Sequence, residues 1–578
     1  MKLHKRLLLW TVVACFNTQV IADSISVLQP NGTGNEKIAE GIEFSAYVKG
    51  NRWDMSDPAD VITSESRFLS NESFSNGIYR ATSVEIDGKT DPKFFLTFPG
   101  LPSAVFSIES GQMFPIDTSV YSKLSLKIRH LGSNGSPTNS KHAVQVFFFE
   151  DENSIRNGTF GFTSGNSVMS DGDWHIIQID LISDLHPNSS HSWTDFSSVK
   201  GLRIDPTFVA NTRIEIDWIR LTAPGNTGTQ FNVQWSGGSG PYSVTARQQN
   251  DVAAIVATDI NGNSANVDFS TLPAGDYTIE VLGQQETGSS ASTLQVNEAP
   301  IFNFLQPDIR GDVANRYSLI EVGNPWGPMN AVDVASTKKL TAISYSNPAG
   351  SLTATTTGSD SQVFFNTPTP INTLKYRMLT YTLSVSGARD IGQGSVARVF
   401  WGQAQGQLTT SEDIIVQEGL NTYELGDMRN MRIEGGPANQ WLGSLVVFRI
   451  DPTEFSTTKN IRIDNVTLAP FDAAEPTFDV TWVDSDADDN ASIQLFADTD
   501  KIPGNGNEVL IANGIGEDAG TDSFIWTATD PVVAGQYHLY SIIDDGFNKT
   551  SRYATGPIIV KPMVLPDPDI GFRDSFED

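Results

Sequence analysis

Two stretches of this chain are one pattern written twice. Val199-Lys-Gly-Leu-Arg-Ile-Asp-Pro-Thr207 runs on to Ile214-Glu-Ile-Asp-Trp-Ile-Arg-Leu-Thr-Ala-Pro224. The pattern returns as Val447-Phe-Arg-Ile-Asp-Pro-Thr453 and Ile461-Arg-Ile-Asp-Asn-Val-Thr-Leu-Ala-Pro470. An ordered repeat constrains the architecture before any local reading, because each copy must be a unit that folds beside its sibling. Each copy predicts two strands with alternating apolar positions (Leu202 and Ile204, then Ile214 and Ile216), broken by a turn at proline.

The repeat is wider than this motif. Leu28-Gln-Pro30 answers to Leu305-Gln-Pro307, and Asn51-Arg-Trp53 with Asp60 to Asn324-Pro-Trp326 with Asp333. Val146-Phe-Phe148 matches Val399-Phe-Trp401, and Trp193 matches Trp441. A smaller repeat follows each large one, opening on Phe231-Asn-Val-Gln-Trp235 or Phe478-Asp-Val-Thr-Trp482 and closing on Ala274-Gly-Asp-Tyr277 or Ala534-Gly-Gln-Tyr537. The expected order is a signal peptide (1–22), A1 (23–225), B1 (226–299), A2 (300–472), B2 (473–562) and a Pro/Asp-rich tail (563–578). Helical periodicity is nearly absent, while Gly, Asn and Ser turns separate short alternating runs. The fold class is therefore all-β, a series of tandem β-sandwiches.

A formal charge of −30 leaves nothing to neutralise a phosphate backbone and excludes nucleic acid as a partner. The basic start Met1-Lys-Leu-His-Lys-Arg6, the apolar run to Phe16 and the small residues of Val20-Ile-Ala22 predict export, with cleavage before Asp23. A second reading places a lipid anchor on Cys15 through Val12-Val-Ala-Cys15. Either way the mature chain has no disulfide, and its location is extracytoplasmic, free or at the cell surface. No other segment is long and apolar enough for a transmembrane helix.

The A units, closing on strands such as Ile216-Asp-Trp-Ile-Arg-Leu221, resemble the galactose-binding-like jelly rolls of carbohydrate-binding modules. B2, with Asp498-Thr-Asp500, Phe524-Ile-Trp526 and Asp544-Asp-Gly546, resembles immunoglobulin-like modules of bacterial surface proteins; B1 lacks the Asp-x-Asp segment. A buried Trp on an early strand and a Tyr entering a late one fit that sandwich type. The resemblance implies polysaccharide as partner. It also implies a structural Ca²⁺ beside the last strand of each A unit, at Asp217 and Asp464.

No nucleophile elbow, zinc-protease helix or phosphate loop occurs, and the expectation is of a protein without catalysis. Carboxylate pairs such as Asp205 with Glu215, or Asp451 with Glu454, keep a glycosidase formally open. However, Arg203-Ile-Asp205 and Arg449-Ile-Asp451 recur in both copies. That recurrence favours a structural duty, with each Arg paired to Asp217 or Asp464 or capping its turn. Sugar binding needs ring faces open to solvent. Trp53 and Trp326 lie in polar, loop-like settings and Trp401 and Phe148 lie on strands, and these four are the expected contacts. Trp193, Trp218, Trp235, Trp441, Trp482 and Trp526 are assigned to cores. Asp484, Asp486 and Asp488, with Asp498 and Asp500, place oxygens at alternate positions suited to a hard cation. The functional expectation is glycan binding by both A units with the B units as spacers; a structural or adhesive role through protein contacts is the alternative.

Overall fold

The computed structural model describes residues 24–561, apart from 34–35, 57, 64–65, 98–114, 151–159, 226–227, 327–329, 347–349, 388–395, 417–418, 432, 437–439, 455–457, 487, 489, 518–519 and 529–531. The expected signal peptide, the Cys15 anchor and the C-terminal tail lie outside the described residues. Its regular secondary structure is almost entirely strand, arranged as β-sandwiches. No helix among the described residues is long and apolar enough to cross a membrane.

The chain divides into two compact units. The first takes residues up to Glu36 together with Phe231–Val267 and Asp276–Leu294. In one sheet of this sandwich Gln230–Ser236 lies between Ser26–Gln29 and Ser264–Asp268; in the other the order is Ala253–Ile260, Tyr242–Gln248, Gly275–Leu282, Thr287–Asn297. Trp235 is buried edge-on against Tyr242 with ring centroids 5.3 Å apart, as its alternating strand predicts.

The second unit holds the remaining sandwiches, and the repeated motif supplies the centre of each large one. In A1 one sheet runs Asn166–Met169, Lys141–Phe149, Gly201–Asp205, Phe94–Thr97, and the facing sheet runs His175–Asp180, Lys123–Gly132, Thr212–Thr222, Ile78–Ser83, Leu69–Ser75. A2 repeats this arrangement. Val447–Thr453 lies between Ser361–Phe365 and Val396–Ala404, and Lys459–Ala469 lies between Ser351–Thr356 and Met378–Gly387. The motif thus provides one central strand per sheet, and its isoleucines meet in the core between them. The tryptophans that precede the motif agree in detail. The Trp193 indole donates to the Tyr121 carbonyl and the Trp441 indole to the Tyr376 carbonyl, each at 2.8 Å.

One part of the expected division needs correcting. The Leu-Gln-Pro strand at the start of each A segment belongs to the small sandwich that follows. Val27 pairs with Trp235 and Phe304 with Trp482. In chain order each large sandwich is therefore inserted after the first strand of a small one. In B2 the sheets are Ile301–Gln306, Thr477–Ser485, Gly520–Thr527 and Asp472–Ala474, Lys549–Val560, Gly535–Asp544, Ser492–Asp498, Val509–Gly516. Trp482 and Trp526 are buried between them.

Candidate functional site

The site is made by one extra residue in a central strand. Along Thr212–Thr222, Ile214 and Ile216 point into the A1 core, and strict alternation would send Trp218 in after them. Instead the register skips at Asp217: Ile216 faces Ile128 and Trp218 faces the next residue, Lys127. This β-bulge reverses the phase of the strand. Ile219 and Leu221 are now fully buried, while Trp218 turns outward and is partly exposed. Trp218 is thus not the core residue that its strand context predicts.

Trp174, just before the edge strand His175–Asp180, is the other partly exposed indole on this face. The Arg129 guanidinium lies 4.6 Å from its ring centre and the Lys127 ammonium 5.6 Å. Lys127 is therefore flanked by Trp174 on one side and Trp218 on the other. The two indoles stand two strand spacings apart and two residues offset along the strands, with backbones about 12 Å apart. Beside them Glu215 is buried and accepts from Arg80 at 3.2 Å, Arg129 at 2.9 Å and Arg213 at 2.5 Å. Burial would raise its carboxyl, but Arg129 and Arg213 hold it below the usual range. Asp217 pairs with Lys127 at 2.8 Å. Four cations against two carboxylates make this face locally positive on a strongly acidic chain. A ring face, a positive field and fixed charged donors are what a hydroxylated, acid-bearing chain would engage.

The face is not duplicated. Through the strand pairing, Trp174 corresponds to Leu420, Arg129 to Ser384, Lys127 to Thr382 and Glu215 to Arg462, while in the repeated motif Trp218 corresponds to Asn465. A2 presents a shallow trough of Thr353, Thr355, Ser384, Ser386, Asn460 and Arg462 instead.

The four aromatic residues expected to meet sugar are all inside. Trp53 packs on Phe44, Trp326 lies parallel to Phe448 at 5.6 Å, Trp401 meets Trp441 and Phe148 meets Trp193. None has a ring face open to solvent. The polar neighbours that made Trp53 and Trp326 look exposed are latches. The Asn51 side-chain amide donates to Asp60, and Asn324 donates to Asp333 in the same way, closing each loop with its indole as the plug. Burial pushes the Asp333 carboxyl up to about 6, against a hydrogen bond from the Asn330 amide.

The aspartates expected to hold a cation are not gathered. Asp217 is with Lys127 and Asp464 with Arg462. Asp484 accepts from the Trp482 indole at 2.7 Å and Asp488 from the Glu298 amide at 3.1 Å. Asp498 accepts from the Tyr553 hydroxyl and the Asp500 amide. Asp500 organises its own loop through Ile502, Asn505 and Asn507, while the Asp486 amide donates to Glu517. The carboxylates that do cluster among the described residues are Asp360, Asp451 and Glu454, around Arg449 and Arg398. Arg449 binds Asp451 at 2.5 Å and Asp360 at 3.2 Å, with its guanidinium 3.8 Å from the Phe400 ring centre. Arg203 repeats this with Asp205 at 2.6 Å, Asp91 at 3.4 Å and Phe147 at 4.3 Å. Neither arginine reaches Asp217 or Asp464, as the sequence had suggested; each closes on the aspartate two residues along its own strand. Asp205 and Glu215, meanwhile, sit on strands of opposite sheets and cannot act as a pair.

No protein-family model matches this chain, and no curated protein matches it. Solved structures do. One is the β-1,2-glucanase from Parabacteroides distasonis (14% identity, 39% of this chain and 34% of that one, TM-score 0.15). Another is SGBP-B from a complex xyloglucan utilization locus in Bacteroides uniformis (11%, 45% and 83%, TM-score 0.17). A third is a structure of carbohydrate-binding modules from the β-sandwich superfamily (10%, 41% and 91%, TM-score 0.17). This chain spans about a third of the length of the glucanase.

Proposed function

We propose that this is an exported, non-catalytic protein that binds polysaccharide on the outer face of the A1 sheet. The reading is carried by one observation: two partly exposed indoles flank Lys127, on a face where Glu215 locks three arginines in place. Sheet faces are rigid, so little ordering entropy is lost when a chain lies across them. The B sandwiches serve as supports. Retention on polysaccharide affinity gels, with and without EDTA, tests the proposal. Trp174→Ala and Trp218→Ala should each abolish retention with the melting temperature unchanged. Trp326→Ala, a core cavity mutation, should lower the melting temperature by the equivalent of about 3–5 kcal/mol. Retention that survives both surface changes, or release of reducing ends from the polymer, would refute the reading.

A further inference from the structure

A second cavity, remote in sequence from the tryptophan face, opens where A2 meets B2. It has a volume of about 320 Å³, in the range of a small-molecule site. Ile309, Met378, Leu425, Met431 and Pro557 make its apolar wall; Glu412, Asp427, Asn430, Lys501, Gln536 and His538 bring polar groups to it.

Three of these are in unusual states. Glu412 is 1% exposed, and neither of its carboxyl oxygens has a hydrogen-bond partner among the described residues. Burial pushes that carboxyl up to about 9, the charges of Asp413 and Glu434 add to the rise, and Lys200 opposes it. It is therefore a neutral O–H donor at pH 7, a state that an apolar enclosure can impose on a carboxylic acid. His538 is driven down to about 4 by burial and by the charge of Lys501, with Asp498 opposing, and is neutral as well. Asp427 is neutralised by Arg377. Lys501, at the rim, has its ammonium drawn below the ordinary lysine value by desolvation and makes no ion pair among the described residues. The cavity thus carries one positive charge at its rim and two side-chain amides, with an unpartnered neutral carboxyl sealed behind its wall.

We propose that this cavity is a binding site for a sugar-sized hydroxylated carboxylate, a uronic acid being the class that fits. The carboxylate is taken by Lys501, hydroxyls by Asn430 and Gln536, and the C–H face of the ring by Met378, Leu425 and Pro557. The assignment does not rest on the tryptophan face, and a Trp174→Ala protein should bind the monomer unchanged.

Isothermal titration of the whole protein with glucuronate, galacturonate and glucose is the test. Losing one charge-assisted contact removes about tenfold or more in affinity. The uronates should therefore bind at least that much more tightly than glucose, and Lys501→Met, a rim change that leaves the core intact, should erase the preference. Equal affinity for glucose and uronate, no binding of either, or a uronate preference retained in Lys501→Met would each overturn the proposal.

Discussion

Deleting Asp217 from the middle of a central A1 strand should be tolerated, which is not the usual fate of such a deletion. The residue is the surplus one of the bulge: without it Ile216 still faces Ile128, Trp218 still faces Lys127, and Ile219 and Leu221 still point inward. What is lost is the ion pair between Lys127 and a partly exposed Asp217, about 0–1 kcal/mol. Deleting Arg220, three residues on, is the contrast. Leu221 would turn outward and Thr222 inward, forfeiting about 1.5–3 kcal/mol of burial. The guanidinium that binds Glu40 at 2.6 Å and Glu43 at 3.2 Å would also vanish, and stranding buried carboxylates costs about 3–5 kcal/mol. That total rivals the net stability of a whole domain. The assay is urea denaturation of the intact protein, with hydrogen exchange over Thr212–Thr222 to isolate the A1 transition. Near-native protection without Asp217 and its loss without Arg220 is the expected pair of results. If the two deletions cost the same, the extra-residue account of how Trp218 comes to face solvent is wrong.

Arg220→Met should cost about 3–5 kcal/mol, and adding Glu40→Gln should recover a large part, since Arg52 at 3.2 Å remains to serve Glu43; a double variant no better than the single one would argue against charge pairing. Burial alone would raise the Glu40 carboxyl, but Arg220 and Arg52 hold it at about 2, below its ordinary 4.5. A depressed carboxylate stabilises the fold above its unfolded value and stops doing so as pH falls through its folded one. Its contribution of about 3 kcal/mol should therefore be intact above about pH 4.5 and gone near pH 2, with the acid-unfolding midpoint moving upward in Arg220→Met.

The sandwich architecture was legible because strands with one buried face must alternate, and because the same alternation occurs twice. Much of the core was legible too: Trp193, Trp235, Trp441, Trp482 and Trp526 are where their strands put them. The site departs from the sequence expectation for two physical reasons. A polar loop suggests an exposed indole, yet Asn51 with Asp60 and Asn324 with Asp333 show polar side chains fastening a loop over a buried ring. Trp218 was assigned inward by continuing the phase of Ile214 and Ile216. The signal against that was present, since Ile219 and Leu221 are apolar on the opposite phase, and two inward phases in one strand require an extra residue between them. Ile461 and Ile463 followed by Val466 and Leu468 carry the same signature in A2. Trp174 gave no such sign; its exposure depends on edge-strand placement, which is a tertiary fact. The membership of the Leu-Gln-Pro strands was likewise hidden, because pairing partners some 200 residues away leave no mark on local pattern.

Duplication preserved the scaffold and let the surface diverge, and the backbone now enforces part of the difference. Both copies bulge, at Asp217 in A1 and one step later, between Asp464 and Thr467, in A2, where the motif position of Trp218 is Asn465, with φ at 48°, in the left-handed region. Asn tolerates that conformation; a bulky side chain pays about 1–2 kcal/mol to adopt it. Asn465→Gly should be close to neutral, because glycine carries no Cβ, while Asn465→Trp should lower stability by about that amount. Pairing it with Leu420→Trp would restore both indoles to the A2 face, yet Thr382 and Ser384 offer no cation between them, so polysaccharide retention on A2 should not appear. Urea denaturation of the single variants and affinity gels with the paired one, in a Trp174→Ala background that silences A1, separate the two effects. An Asn465→Trp protein as stable as the parent would mean that the backbone does not bar the indole, and that sequence drift alone keeps A2 without one.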